Sequence, residues 1–151
     1  NMSPSLIVDS ALNLLEQRLQ SYRVSVKLVR NSPLSQTRVD PDQLKEVIVN
    51  IVINACEAIK HDGRIIISEE ERFVHPLEKV AIIRIMDDGP GIPKEILPEI
   101  FNPFFTTKDH GTGLGLSIAY NIITEHGGCL DVSSKENQGA AFVITLPIHN
   151  D

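Results

Sequence analysis

The chain has 151 residues, 42% of them hydrophobic, 23% charged and 5% aromatic, with no Trp. That is enough apolar material for a packed core and too much for a disordered segment. Its 20 Asp and Glu outnumber 14 Lys and Arg, giving a formal charge of -6, which argues against nonspecific contact with DNA, RNA or an anionic membrane surface.

In chain order, residues 1–4 read as a frayed lead-in from a preceding domain. Leu6, Ile7, Ala11, Leu14, Leu15 and Leu19 recur at helical spacing and predict an amphipathic helix over 5–20. Val24, Val26 and Leu28 alternate with polar residues as in a strand, and Asn31-Ser32-Pro33 turns the chain. Asp40-Pro41-Asp42-Gln43 is a helix start, with Asp at the N-cap and Pro at the first helical position. This helix is expected to run to about Lys60 and to end at His61-Asp62-Gly63. Strands are expected at 64–68 and 80–86, with the charged stretch 69–78 as their hairpin connection. Asp87–Thr112 is rich in Gly and Pro without regular periodicity, a pattern that in a compact domain points to function. A helix over 114–126, stopped by Gly127-Gly128, leads to a closing hairpin with strands at 129–133 and 141–146 around Asn137-Gln138-Gly139. The order predicts an α+β two-layer sandwich, a mixed, mostly antiparallel sheet with its helices on one face.

No run approaches the roughly 18 apolar residues of a membrane span, and no signal peptide opens the sequence. Cys56 and Cys129 form neither a disulfide framework nor a CxxC metal motif and read as reduced core residues. The expectation is a soluble, cytoplasmic domain.

Three segments carry chemistry. On the helix at 40–60, Glu46, Asn50, Asn54 and Glu57 fall within an arc of about 80°. Such a stripe can be a narrow solvent-facing face. Yet Asn is a mediocre helix former, and two Asn one turn apart offer neutral carbonyl oxygens to a hard cation such as Mg²⁺. Asp87-Asp88-Gly89-Pro90-Gly91-Ile92 follows an apolar strand directly. It is either an ordinary turn or a carboxylate placed to accept from a ligand amine, with glycines that let the backbone come close. Gly111-Thr112-Gly113-Leu114-Gly115-Leu116 enters a helix whose N–H groups could hold phosphate oxygens. Its GxGxG spacing is not a Rossmann fingerprint, and no Gly-Lys-Ser/Thr follows to make a P-loop. Upstream, Phe101-Asn102-Pro103-Phe104-Phe105-Thr106-Thr107-Lys108 gathers three aromatics, which can anchor the loop to the core, before a lysine able to reach a terminal phosphate.

Together and in this order, these segments resemble the catalytic, ATP-binding domain of sensor histidine kinases, in the superfamily shared with gyrase-type ATPases and built on the Bergerat ATP-binding fold. The asparagine box is Asn50 to Ala58, the first glycine box Asp87 to Ile92, the phenylalanine box Phe101 to Thr106, and the second glycine box Gly111 to Leu116. The resemblance covers residues 5–147 and implies a catalytic domain over 5–148 with a tail at 149–151. It implies that Asn54 binds Mg²⁺ bridging the ATP phosphates, with Asn50 beside it, and that Asp87 accepts the adenine amino group. Gly89, Gly91 and Ile92 would wall the base. Phe101–Gly115 would form the lid over the nucleotide, and Phe104, Gly111, Thr112, Gly113, Leu114, Gly115 and Leu116 would line the site from the lid and the last helix. Lys108 would meet the γ-phosphate. Glu57 stands where many relatives carry a basic residue and receives no phosphate contact.

The resemblance further implies ATP and ADP as ligands, with Mg²⁺. The γ-phosphoryl would go to a histidine on a separate dimerisation domain of the same kinase, for relay to a response regulator receiver domain. None of His61, His75, His110, His126 and His149 sits in a His-Glu/Asp sequence on a helical hairpin, as such an acceptor does; His110, in the lid, reads as a local contact. No nucleic acid or direct membrane contact is expected. Three other readings are an ATPase of the superfamily, a non-catalytic nucleotide-gated binding module, and an anti-sigma or mitochondrial-type Ser/Thr kinase. Hydrolysing members activate water with a Glu at the position of Asn50, and an amide cannot serve as that base.

Overall fold

The computed structural model describes residues 1–107 and 113–149. Its elements are α1 (Pro4–Tyr22), β1 (Ser25–Val29), α2 (Pro41–Ile59), β2 (Arg64–His75), β3 (Glu78–Asp87), a 3-10 turn at Leu97–Glu99, α3 (Gly115–Glu125), β4 (Cys129–Ser134) and β5 (Ala140–Ile148). The strands form one sheet in the order β1-β2-β3-β5-β4. β1 runs parallel to β2 and every other pair is antiparallel, so the sheet is mixed and mostly antiparallel, as expected.

The core lies between the sheet and the helices. β5 alternates buried and part-exposed residues along its whole length, the period-2 signature of a sheet with one covered face. Its Ile144 and Leu146 pack beside Ile83 and Ile85 of β3 and Ile65 and Ile67 of β2, all buried. Leu44, Val47, Ile48 and Ile51 of α2 are fully enclosed against them. α2 touches both α1 and α3, which explains why it is apolar nearly all round.

α2 starts as its sequence requires. The Asp40 carboxylate accepts from the N–H groups of Asp42 at 2.9 Å and Gln43 at 3.0 Å. Its own N–H donates to Nε2 of His126 at 3.1 Å, and His126 Nδ1 lies 2.7 Å from the Ile122 carbonyl, tying the start of α2 to the end of α3. Asp40→Ala removes the cap but keeps that N–H. It is expected to cost about 1 kcal/mol, read as a lower denaturant midpoint with an unchanged slope.

Three expectations need correction. The segment 69–78 is not a loop: β2 and β3 continue as a paired ladder to His75 and Glu78. Several of its charges pair with one another at the solvent-facing surface. Glu70 binds Arg72 at 2.8 Å and Arg84 at 2.9 Å, and Glu71 pairs with Lys79; the hydrogen bond from Arg84 holds the Glu70 carboxyl below its usual range. Cys129 is exposed rather than a core residue, whereas Cys56 is buried as expected and burial pushes its thiol pKa up. Finally, the first residues are not frayed at Met2, which exchanges backbone hydrogen bonds with Thr37.

Sequence periodicity gave no hint of the buried charge on β2. Glu69 is enclosed on the core side and meets Arg30, which also pairs with Asp9 of α1, while Ser5 donates to the second Glu69 oxygen. This network fastens the start of α1 to the sheet.

Candidate functional site

Between α2, the end of β3, the 92–107 segment and the start of α3 lies a cavity of about 750 Å³, within the size range of small-molecule and cofactor sites. Asn54 and Glu57 reach its wall from α2, Asp87 from β3, Gly91 and Ile92 from the following loop, and Gly113, Gly115 and Leu116 from the start of α3. These residues come from the asparagine box and both glycine boxes, up to 62 positions apart by the numbering of Asn54 and Leu116. Ala140 and Phe142 of β5 complete the floor.

Asp87 is half-buried at the last position of β3. Burial pushes its carboxyl pKa up; the N–H groups of Gly89 and Ala140 pull it back, and the neighbouring Asp88 adds to the rise. The Gly89 N–H lies 2.9 Å from Oδ1. A half-buried carboxylate with spare acceptor capacity on a cavity wall is suited to a neutral N–H donor. Asp88 faces elsewhere, accepting from the Arg64 N–H at 2.8 Å, and so divides the paired carboxylates between a cavity role and a sheet-end role.

Asn54 and Asn50 also diverge. Asn54 lines the cavity. Asn50 sits behind it, with Nδ2 donating to the Gly115 carbonyl at 3.2 Å, and braces the start of α3 instead. Leu114 occupies the N-cap of α3, where its carbonyl accepts from Ser117 Oγ at 2.9 Å. Gly113 has a positive φ of 71°, and a Cβ there would run into the Phe104 backbone. Phe104 N–H donates to the Gly113 carbonyl at 2.9 Å, so the two residues are held together by backbone as well as by close packing.

The aromatics separate by role. Phe101 packs against Tyr120 at 5.2 Å and edge-on to Phe142 at 6.4 Å between ring centroids, anchoring the loop as its composition suggests. Phe105 lines the cavity, whereas Phe104, expected there, is 74% exposed with φ 67°. The left-handed backbone at Phe104 turns its ring outward and the next one inward. Gly89 lies off the wall, beneath Asp87. Lys108, His110, Gly111 and Thr112 lie outside the described residues.

The wall also includes Ile96, Ile100, Thr106 and Thr107, which periodicity could not single out because their segment has none. Ala140 and Phe142 read from the sequence as ordinary alternating strand residues; only strand order brings them beneath Asp87. Among the described residues no group of three His, Cys, Asp or Glu could hold a metal ion. An Asn oxygen on an open cavity fits a hard cation that keeps water and ligand oxygens as its other partners, rather than an all-protein cage. No described helix is long and apolar enough to cross a membrane.

The family described as histidine kinase-, DNA gyrase B-, and HSP90-like ATPase matches residues 39–150. The sensor histidine kinase ZraS of Salmonella typhi is 40% identical over 142 residues, which are 94% of this chain and 30% of that protein. Sporulation kinase A of Bacillus subtilis is 43% identical over 110 residues, 72% of this chain and 17% of that protein. The chain thus spans about 30% of the length of the ZraS sequences it matches. Among solved structures, the catalytic domain of histidine kinase ThkA superposes with a TM-score of 0.84 at 32% identity, covering 97% of this chain and 93% of that one. ThkA in complex with response regulator protein TrrA superposes at 0.77 with 28% identity, covering 97% of this chain and 40% of that one. With its fold and all four sequence boxes in order, the chain belongs to the histidine kinase-, DNA gyrase B- and HSP90-like ATPase family, as a catalytic domain of the sensor histidine kinase type.

Proposed function

We propose that this domain binds Mg-ATP in the cavity and donates the γ-phosphoryl group to a histidine on a separate dimerisation domain of the same sensor kinase, for relay to a response regulator. The observation that carries this reading is the convergence of Asn54, Asp87 and the Gly113–Leu116 helix start on one cavity. Asp87 accepts the adenine amino group, and Gly91 and Ile92 wall the base. Asn54 contributes an amide oxygen to Mg²⁺, which when bound neutralises charge on the phosphate oxygens. Gly111, Thr112, Gly113, Leu114, Gly115 and Leu116 belong to the phosphate end, with Lys108 at the γ-phosphate. Gly89 supports Asp87 and Asn50 supports α3, each one step behind the ligand; Phe104 is assigned to the lid's outer face.

In the transfer, an imidazole nitrogen attacks the γ-phosphorus with its own lone pair. The bond from phosphorus to the bridging oxygen breaks, and ADP leaves with that electron pair. The attacking nitrogen carries no proton, so this chain needs no general base, in keeping with an amide at position 50 that is already committed to Gly115. What the chain supplies is position and a set of oriented donors.

The response regulator as eventual partner is supported by the similarity to ThkA, which has been solved with TrrA. A cytoplasmic location is part of the same reading, as is the absence of nucleic-acid and direct membrane contact, which agrees with the charge of -6. Mixing the domain with γ-labelled ATP and a separately made histidine-bearing dimerisation domain is expected to put acid-labile, base-stable label on the acceptor, with negligible phosphate release by the catalytic domain alone. Rapid phosphate release without transfer would identify a superfamily ATPase instead. Nucleotide binding with neither outcome would identify a nucleotide-gated binding module.

A further inference from the structure

The loop that follows Asp87 does not hold its own shape. Two of its positions, Pro90 and Ile92, are hydrogen-bonded to the turn between β4 and β5, more than 40 residues later in the sequence. Ile92 N–H donates to Ser134 Oγ at 2.7 Å, and the same hydroxyl donates to the Gly139 carbonyl at 2.8 Å. Asn137 N–H donates to the Pro90 carbonyl at 2.5 Å. The surfaces are also in direct contact: a Cβ at Gly91, whose φ is 76°, would strike the Lys135 carbonyl, and one at Gly139, whose φ is 79°, would strike the Asp87 carbonyl. Both glycines therefore serve the approach of two backbones as well as their own turns.

Within this seam, Ser134 accepts through its side chain from the loop at Ile92 and donates to its own turn at Gly139. It ends β4 opposite Ala140, and Ala140 in turn sends its N–H to the Asp87 carboxylate. Displacing the hydroxyl would release Ile92, one wall of the cavity, and loosen the strand end that orients Asp87.

We propose that Ser134 is a positioning residue for base recognition, its hydroxyl holding the 87–92 loop in the shape that lets Asp87 and Ile92 engage an adenine ring. The proposal rests on the nucleotide reading of the cavity. A hydroxyl can accept and donate at once, as this position requires; a thiol does both only weakly, and a methyl does neither. Threonine keeps the hydroxyl and suits a strand end.

The test is calorimetric affinity for ADP and, by competition, GDP in the wild-type domain and in Ser134→Ala, Ser134→Cys and Ser134→Thr, with thermal melting of each free domain. Ala and Cys are expected to lose about tenfold in ADP affinity and to narrow the preference for ADP over GDP, while Thr retains both. Cys fills nearly the same space as Ser and reports on the hydroxyl even if Ala fails to fold. Wild-type ADP affinity in Ala and Cys would overturn the positioning role alone. So would equal losses for ADP and GDP, or a loss in Thr as large as in Ala. A wild-type domain that binds no ADP would overturn the nucleotide reading and this role with it.

Discussion

Asp87→Asn is expected to weaken ADP binding by about 100-fold, the upper part of what a hydrogen bond to a charged group contributes, while the free domain melts no lower than wild type. Asn keeps one acceptor oxygen, for which the N–H groups of Gly89 and Ala140 already compete. It turns the other position into a donor, facing the donor of the adenine ring. The stability half of the expectation follows from burial, which raises the carboxyl pKa in the folded chain. A carboxyl raised in this way opposes folding at pH values above its unfolded pKa, and the opposition fades as the pH falls through the folded value. Removing the charge at neutral pH thus takes away a cost, which offsets the backbone hydrogen bonding that a single amide oxygen gives up. The same shift predicts that ADP affinity in the wild type falls on acidification beginning above the ordinary Asp range, and that Asp87→Asn is flat over that interval. Isothermal calorimetry across pH, paired with melting curves, decides both. Wild-type affinity in the variant would remove the acceptor role, and a much lower melting temperature would make the carboxylate structural.

Asn54→Ala is expected to remove the metal-dependent part of ATP binding, roughly 100-fold in affinity with Mg²⁺ present, and to leave metal-free ADP binding near wild type. The side chain is half-buried on the cavity wall, and alanine is a better helix former, so α2 itself is not weakened. Asn50→Ala should behave differently. Its amide supports the Gly115 carbonyl at the start of α3, so the loss should appear with and without metal. Equal responses of the two variants to Mg²⁺ would contradict the division of labour between the asparagines.

Much of this is legible in the sequence alone. The cap at Asp40, the helical periodicity of α1 and α2, the Gly127-Gly128 stop and the alternation in the closing hairpin are local properties, fixed by neighbours within one or two turns, although Leu6 and Leu14 of the α1 pattern face solvent. They gave the sheet-and-helix layers correctly. The charged stretch of β2 and β3 reads as a loop because charge alone suggests solvent, whereas Glu70–Arg84 and Glu71–Lys79 pair across the ladder and Glu70–Arg72 along β2. Glu69 escapes sequence reading for the same reason: its partners Arg30 and Ser5 are 39 and 64 residues away. At the cavity, the motifs identified which segments matter but not which side chains turn inward, as the exchange of Phe104 for Phe105 makes clear.

The sequence by itself determined the fold class, the family and the chemistry on offer, because periodicity, caps and four ordered motifs are carried by residues close together along the chain. Only the tertiary structure decided which of Asn50 and Asn54 reaches the cavity, that β5 forms its floor, and that Ser134 fastens the loop beyond Asp87. Those outcomes depend on strand order and on backbone contacts between segments more than 40 residues apart, and no local pattern encodes the distance at which two such surfaces meet.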